Sequence, residues 1–400
     1  MSLPAAPPSE SANIRRTILI LSVCGFASAL STRFADPMIG VIARDLAVDP
    51  LRVALLSTAY ALPYAFIQPI LGPFGDAVGK ERVVKVLLVC LAVSLLAASF
   101  ATDLTALFVL RVLSGAAAGG IIPIALATIG DRVEMGERQV AIGRFLTATI
   151  SGQLLGGVGS GALATVVSWR GVFMIAAASA AAAAVAVMIG FRSSGGPRGV
   201  FSLRVAGQRY RRILSIPRAL ALIFFVFVEG LFVFGVQPYV APLLEREGLG
   251  GPTEAGLIIG GFAIGGIIYT LIVRWLLSTL GLPRMLRTAG FLGLGSFVLL
   301  APGLPWGVQA LAMVGMGMGF YMLHNSFQTQ ITEVVPEARA SAVALHAFCF
   351  FIGQALGPVL FGLLLGTVDR TGAMLACGMG VLSLGLVAAV VLRDAYPRPR

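Results

Sequence analysis

The 400-residue chain is 58% hydrophobic and only 12% charged, with a mean hydropathy of +0.93. That charged share is about half the usual one, so most of the surface must face lipid and a water-soluble globular protein is excluded. The net charge of +11 does not point to nucleic acid, because Lys and Arg sit in short segments between apolar runs and no nucleic-acid module is present.

The apolar runs continue for about 20 residues instead of alternating over about 10, which selects helices over a barrel. Residues 1–16 begin polar and Pro-rich and read as a disordered tail. Arg15-Arg16 before an apolar run mimics a signal peptide. The run is too long, contains Arg33 and Asp36, and is followed by no small-residue cleavage site, so it is the first span. Spans are predicted at 17–43, 53–75, 83–102, 104–130, 139–166, 171–191, 218–243, 255–280, 285–302, 305–330, 340–366 and 370–392. The expected fold is an all-α membrane protein of twelve transmembrane helices: a six-helix bundle over 17–191, a basic linker over 192–217, a second bundle over 218–392 and a tail over 393–400.

An even count puts both termini on one side. With the N-terminus inside, 22 Lys and Arg residues fall on the inner side and 5 outside, a bias that places both termini in the cytoplasm of a multi-pass inner-membrane protein. The linker carries Arg192, Arg198, Arg204, Arg209, Arg211 and Arg212 and no acidic residue. It either fixes topology or binds anionic lipid. Cys24, Cys90, Cys349 and Cys377 all lie in apolar runs with no C-x-x-C pair, and read as small buried residues.

The halves match at an offset of 201. Gly152-Gln153 answers to Gly353-Gln354, Gly156 to Gly357, Gly161 to Gly362, Arg138 to Arg339, and Asp36-Pro37 to Gln237-Pro238. At 202, Gly79 answers to Gly281 and Arg82 to Arg284. Two half-chains in the same orientation imply a pseudo-twofold axis along the membrane normal, an architecture that binds solutes near the midplane.

Ionisable residues at membrane depth are costly and mark function. Glu229, about 11 residues into span 7, lies about 16 Å deep, near the middle of the bilayer core. It is either a carboxyl that switches protonation or a permanently neutral, hydrogen-bonded one. Arg33 and Asp36 share a face of span 1, and Arg111 in span 4 has a similar depth, so pairing among the three is expected. Tyr321, His324, Asn325 and Gln328 form a polar stripe on span 10, and Ser57, Tyr60, Tyr64 and Gln68 another on span 2. Gln237 shares a side with Glu229, and Gln354 with His346. These stripes are candidate cavity walls or interhelical hydrogen-bonding groups; His346 by itself is expected to serve packing. Gly152, Gly156, Gly353 and Gly357 are read as close-packing positions, with Pro358 a point of bending. Two histidines without clustered ligands suggest no metal site, and the absence of a P-loop suggests no nucleotide cofactor.

The loop after span 2 reads Gly72-Pro-Phe-Gly-Asp76-Ala-Val-Gly79-Lys80-Glu-Arg82. It resembles the signature loop of the major facilitator superfamily, with Ala77 where a basic residue is usual. Leu107-x-x-x-Arg111-x-x-Ser114-Gly115 is similar to the family's buried-arginine motif of span 4. Gly152-x-x-x-Gly156-Gly157-x-x-x-Gly161 resembles the antiporter motif of span 5, with Gly157 in place of its proline. Ser168-Trp169-Arg170-x-x-Phe173, His324-Asn325-x-x-Gln328 and Pro336-Glu-x-Arg339 resemble the drug:proton antiporter and arabinose-efflux-like branch. The resemblance covers the whole chain. It implies a secondary transporter working by alternating access, with Asp76, Lys80 and Arg82 at an inner gate. Its small organic or amphipathic solute would leave in exchange for protons, with Glu229, Asp36, Arg111 and Arg33 as coupling candidates. The expected partners are that solute, protons and membrane lipid, and the expected state is a monomer with no enzymatic activity. Proton-coupled uptake, or a non-transporting receptor with the same fold, are the alternatives.

Overall fold

The computed structural model describes residues 8–191, 203–334 and 339–393; within these, the side chains at 8–13, 71–73, 76–77, 135–136, 139, 203–206, 209 and 339–340 lie outside the description. Among the described residues every regular element is helical. Span 1 consists of α1 (Pro8–Arg33), a 3-10 turn at Asp36–Met38 and α2 (Ile39–Asp45). Residues 8–16, expected within a disordered tail, are therefore helical; Pro8 suits a first helical turn, where no amide is needed. Span 2 is α3 (Pro50–Ala54) with α4 (Leu56–Val78), span 3 is α5 (Lys80–Ala98), and span 4 is α6 (Leu104–Ala118) with α7 (Ile121–Arg132). Spans 5 and 6 run through α8 (Met135–Leu154), a π turn at Leu155–Gly159 and α9 (Ser160–Gly190). The linker contributes α10 (Leu203–Leu214); its residues 192–202 lie outside the description. Span 7 is α11 (Pro217–Gly235), a 3-10 turn at Gln237–Tyr239 and α12 (Val240–Arg246). Spans 8 and 9 share α13 (Pro252–Leu300), and spans 10 to 12 are α14 (Trp306–Val334), α15 (Arg339–Thr367) and α16 (Arg370–Val391).

Nine stretches among the described residues are long and apolar enough to cross a membrane. Two of them, Val140–Gly190 and Pro252–Leu300, hold two spans each, separated by non-helical backbone at Ser168 (φ 62°) and Gly281 (φ 66°). With α5, whose first turn is charged by Lys80 and Glu81, this makes twelve spans. Large apolar side chains such as Val166, Leu271 and Val390 stand outward on the bundle, where water would penalise them and lipid does not.

The repeat read from the sequence recurs as packing. A Cβ on Gly152 would strike the carbonyl of Phe26, and one on Gly353 that of Phe227, 201 positions on. Gly156 meets the Leu30 carbonyl as Gly357 meets that of Leu231. Spans 1 and 5, and spans 7 and 11, thus touch backbone to backbone through equivalent glycines, the close approach that lipid-embedded helices rely on. Both Gly79 (φ 106°) and Gly281 (φ 66°) turn the chain with positive φ, which L side chains rarely adopt. Arg170 pairs with Asp45 and donates to the Ala101 carbonyl; Arg370 pairs with Glu247 and donates to that of Leu300. Below Gly357, span 11 carries Pro358, whose carbonyl accepts from the Tyr239 hydroxyl at 2.8 Å. The position 201 earlier, Gly157, lies inside the π turn of span 5.

Candidate functional site

The two halves meet at the end of the bundle away from the termini. Arg44 of span 1 pairs with Glu245 of span 7. Thr58 donates to the Ala355 carbonyl at 2.6 Å, and Tyr64 packs on Phe351 with ring centroids 4.6 Å apart, so span 2 lies along span 11. Gly161 abuts the Pro252 carbonyl, and Gly256 faces Val158, joining spans 5 and 8 at that end. Towards the terminus side spans 5 and 8 part. A cavity of about 230 Å³ opens there, walled by Arg33, Gln153, Phe234, Gln237, Phe262 and Tyr321 among others. A second chamber of about 220 Å³ adjoins it, sharing Gln153, Phe234, Phe262 and Tyr321 and adding Thr32, Tyr64, Thr149, His324, Phe350 and Gln354. Residues of both halves form its wall. The phenylalanines there pack on one another: Phe234 meets Phe320 and Phe350 edge to face, with centroids 5.1 Å and 5.5 Å apart, and Phe262 at a tilt, 5.4 Å away. Such rings supply a large apolar surface with few rotatable bonds.

The N-terminal half brings its charges together near this cavity. Arg33 and Asp36 form a buried ion pair at 3.1 Å, and Ser57 donates to the other Asp36 oxygen. Arg33 also lies over the Phe234 ring, 4.6 Å from its centroid. Arg111 is fully buried but, among the described residues, has no carboxylate partner. It donates to the Ser31 carbonyl at 3.2 Å and lies 4.2 Å over the Tyr60 ring. The expected three-way pairing is therefore two-way, with Arg111 held by a carbonyl and a π face.

In the C-terminal half, Glu229 is wholly buried and one carboxyl oxygen lies 2.8 Å from His324 Nδ1. The other oxygen has no partner among the described residues. A bare carboxylate there would be costly to desolvate, whereas a carboxyl sharing a proton with an imidazole is not. The His324 ring packs against Phe320 and Phe350 and reaches the cavity wall. His346 does not stand by itself: its ring centroid is 5.5 Å from that of His324.

The polar stripes divide. Tyr321 and His324 face the central cavity, while Asn325 and Gln328 line a separate pocket of about 260 Å³ with Tyr269 and Gln330. Gln328 keeps the same helical face but lies seven residues, about 10 Å, further along the helix than Tyr321. On span 2, Tyr64 lines the cavity, Tyr60 serves Arg111 and bonds Ser31 at 2.9 Å, and Gln68 is buried. The sequence reading named Gln153 only as part of the repeat, and did not single out Thr32, Thr149 or the ring cluster. Gln153 was findable, since it stands 201 positions before Gln354. Gly72 and Asp76 lie on α4, but their side chains are outside the described residues. Lys80 pairs with Asp131 at 2.6 Å and Glu81 with Arg132, tying the loop after span 2 to the end of span 4 within one half.

A model of the Major Facilitator Superfamily matches residues 21–358. Multidrug resistance protein 1 of Bacillus subtilis (strain 168) is 23% identical over 89% of this chain and 90% of its own length. Multidrug resistance protein 2 of the same strain is 22% identical over 94% and 96%. Among solved structures, a POT family transporter in complex with a thioalcohol-conjugated peptide superposes with a TM-score of 0.78 at 12% identity, covering 96% of this chain and 97% of that one.

Proposed function

Since the chain belongs to the Major Facilitator Superfamily, and so is a multi-pass membrane transporter and not an enzyme, we propose that it exports small amphipathic organic solutes in exchange for protons. The observation that carries this reading is the central cavity itself. Phenylalanine rings form its apolar wall, glutamines and tyrosines supply hydrogen bonds, and the Glu229–His324 pair sits at its edge. An apolar wall with a few polar groups suits solutes that are partly hydrophobic and variable in shape. The names of the two Bacillus relatives favour efflux.

The excess of Lys and Arg on the terminus side supports an inner-membrane protein with both termini cytoplasmic. The cavity in this structure then faces the cytoplasm, where an exported solute is loaded. Closing the terminus side and opening the Arg44–Glu245 side would release it outside. Glu229 gives the cycle its coupling: protonated from outside, it carries one proton inward as the solute leaves. A proton crossing 100 mV supplies about 2.3 kcal/mol. Arg33, Asp36 and Arg111 stabilise the opposite wall, and the chain works as a monomer whose basic linker lies against anionic lipid.

Everted membrane vesicles test this. With an acid interior, lipophilic cations and other amphipathic dyes should accumulate in vesicles bearing the protein, and a protonophore should abolish the accumulation. Accumulation only from an alkaline interior would reverse the direction. Accumulation that ignores the protonophore would remove proton coupling.

A further inference from the structure

The chain has two histidines. They lie on different spans, 22 positions apart, yet their rings are neighbours with centroids 5.5 Å apart, beside the buried Glu229. The Glu229 bond occupies Nδ1 of His324, so its Nε2 is the nitrogen available for a second partner. His346 is 1% exposed, and its Nε2 has no hydrogen-bond partner among the described residues. A buried polar nitrogen without a partner costs free energy unless something arrives to satisfy it. Imidazole suits that arrival, because one nitrogen accepts a proton while the other donates.

We infer that His346 is a proton-relay residue, forming with His324 and Glu229 a three-member site that holds the transported proton away from the cavity. This rests on the proton-coupled reading above. His324 is the member that reaches the cavity, with 17% of its side chain exposed. While no solute occupies the cavity, water reaches that ring. The Nε2 proton of His324 then passes to Nε2 of His346, across a ring rotation or one bridging water, while the Glu229 carboxyl returns a proton to Nδ1. The first transfer breaks one N–H bond and forms another, the second breaks the Glu229 O–H bond and forms the His324 Nδ1–H bond, and nothing is oxidised or reduced; a solute loading into the cavity reverses both transfers, and the stored proton leaves through His324 to the water it displaces. Without His346, the proton can only stay on Glu229 or go back to the cavity. The titratable groups around His346 are His324 of span 10, which in turn bonds Glu229 of span 7, and Cys349 one turn along its own helix. Tyr64 of span 2 packs one turn further on, against Phe351. The linker helix α10, with Tyr210, Arg211 and Arg212, packs on span 11 as well.

The test uses the full-length protein in proteoliposomes with a fluorescent amphipathic solute. His346→Gln should slow gradient-driven transport about tenfold or more and displace its pH profile, while solute-for-solute exchange proceeds at the parental rate. In His346→Ala, added imidazole should restore gradient-driven transport. A parental rate and pH profile in His346→Gln would overturn the relay. So would loss of exchange together with gradient-driven transport and no rescue by imidazole, which marks a packing residue. If His346→Gln fails to insert, the imidazole arm on His346→Ala decides alone. A parent protein that moves no protons would instead remove the coupled reading on which the relay rests.

Discussion

Arg44 and Glu245 stand 201 positions apart, the offset of the internal repeat, and pair with each other. Residues related by a twofold axis touch only where the axis passes between them. Arg33 and Phe234 repeat the relationship, also 201 apart and in contact at 4.6 Å. The two pairs mark the line about which the halves are related, Arg33 and Phe234 at the cavity wall and Arg44 and Glu245 at the end away from the termini. An ion pair on this line joins the halves at that end.

Weakening that pair should favour the outward-open state. The Arg44 side chain is 63% exposed, so its pair is worth about 0.2–1 kcal/mol, or up to about a fivefold shift in population. In a cysteine-free background carrying Gln237→Cys, Arg44→Ala should raise the rate of labelling by an impermeant thiol reagent from outside. Glu245→Arg should raise it further, and the exchanged pair, Arg44→Glu with Glu245→Arg, should bring it back.

Glu229→Gln keeps the shape and hydrogen bonding of the side chain but cannot ionise. It should abolish accumulation driven by a pH gradient and leave solute exchange without net proton movement intact. Retained accumulation would move the coupling to Asp36 and Arg111. Proteoliposome uptake with and without an imposed gradient reads both.

The glycines that join spans 1 and 5, and 7 and 11, should be intolerant in matched fashion. Gly152→Leu and Gly353→Leu each force a side chain into a neighbouring backbone, at a cost of about 1–3 kcal/mol or more. Both should lower the Tm in detergent by similar amounts. Gly143→Leu, where a Cβ meets nothing within 4 Å, should not.

Orientation has a direct check. Gln208 in the linker helix and Arg246 at the end of span 7 are both exposed. A cysteine at 208 should react with an impermeant reagent only after the membrane is opened, and one at 246 in intact cells. The reverse pattern would invert the assigned topology.

Spans and the repeat were legible because they rest on local rules: apolar length and glycine spacing. The Arg33–Asp36 pair was legible for the same reason, since three positions on a helix meet whatever else happens. The Glu229–His324 bond was not, although both residues were singled out. It joins spans 7 and 10, and no local periodicity says which face of one helix meets which face of another. The ring wall was hidden more completely. Phe234, Phe320 and Phe350 look in the sequence like any membrane-embedded phenylalanine, and only their meeting at one cavity sets them apart. Arg111 was read for its charge, whereas a carbonyl and the Tyr60 ring hold it.

The π turn at 155–159 and Pro358 occupy matching heights in spans 5 and 11. Each interrupts the regular hydrogen-bond ladder, one by widening it and the other by removing a donor. A helix so interrupted bends more readily there than elsewhere. Each half thus contains its own compliant joint, placed by symmetry but made by different chemistry. The switch between states need not be two rigid blocks pivoting on a common line, because part of the motion can be taken up inside spans 5 and 11. Amide hydrogen exchange would register this as a short stretch of faster exchange in the middle of each of these two membrane helices, while their neighbours stay protected.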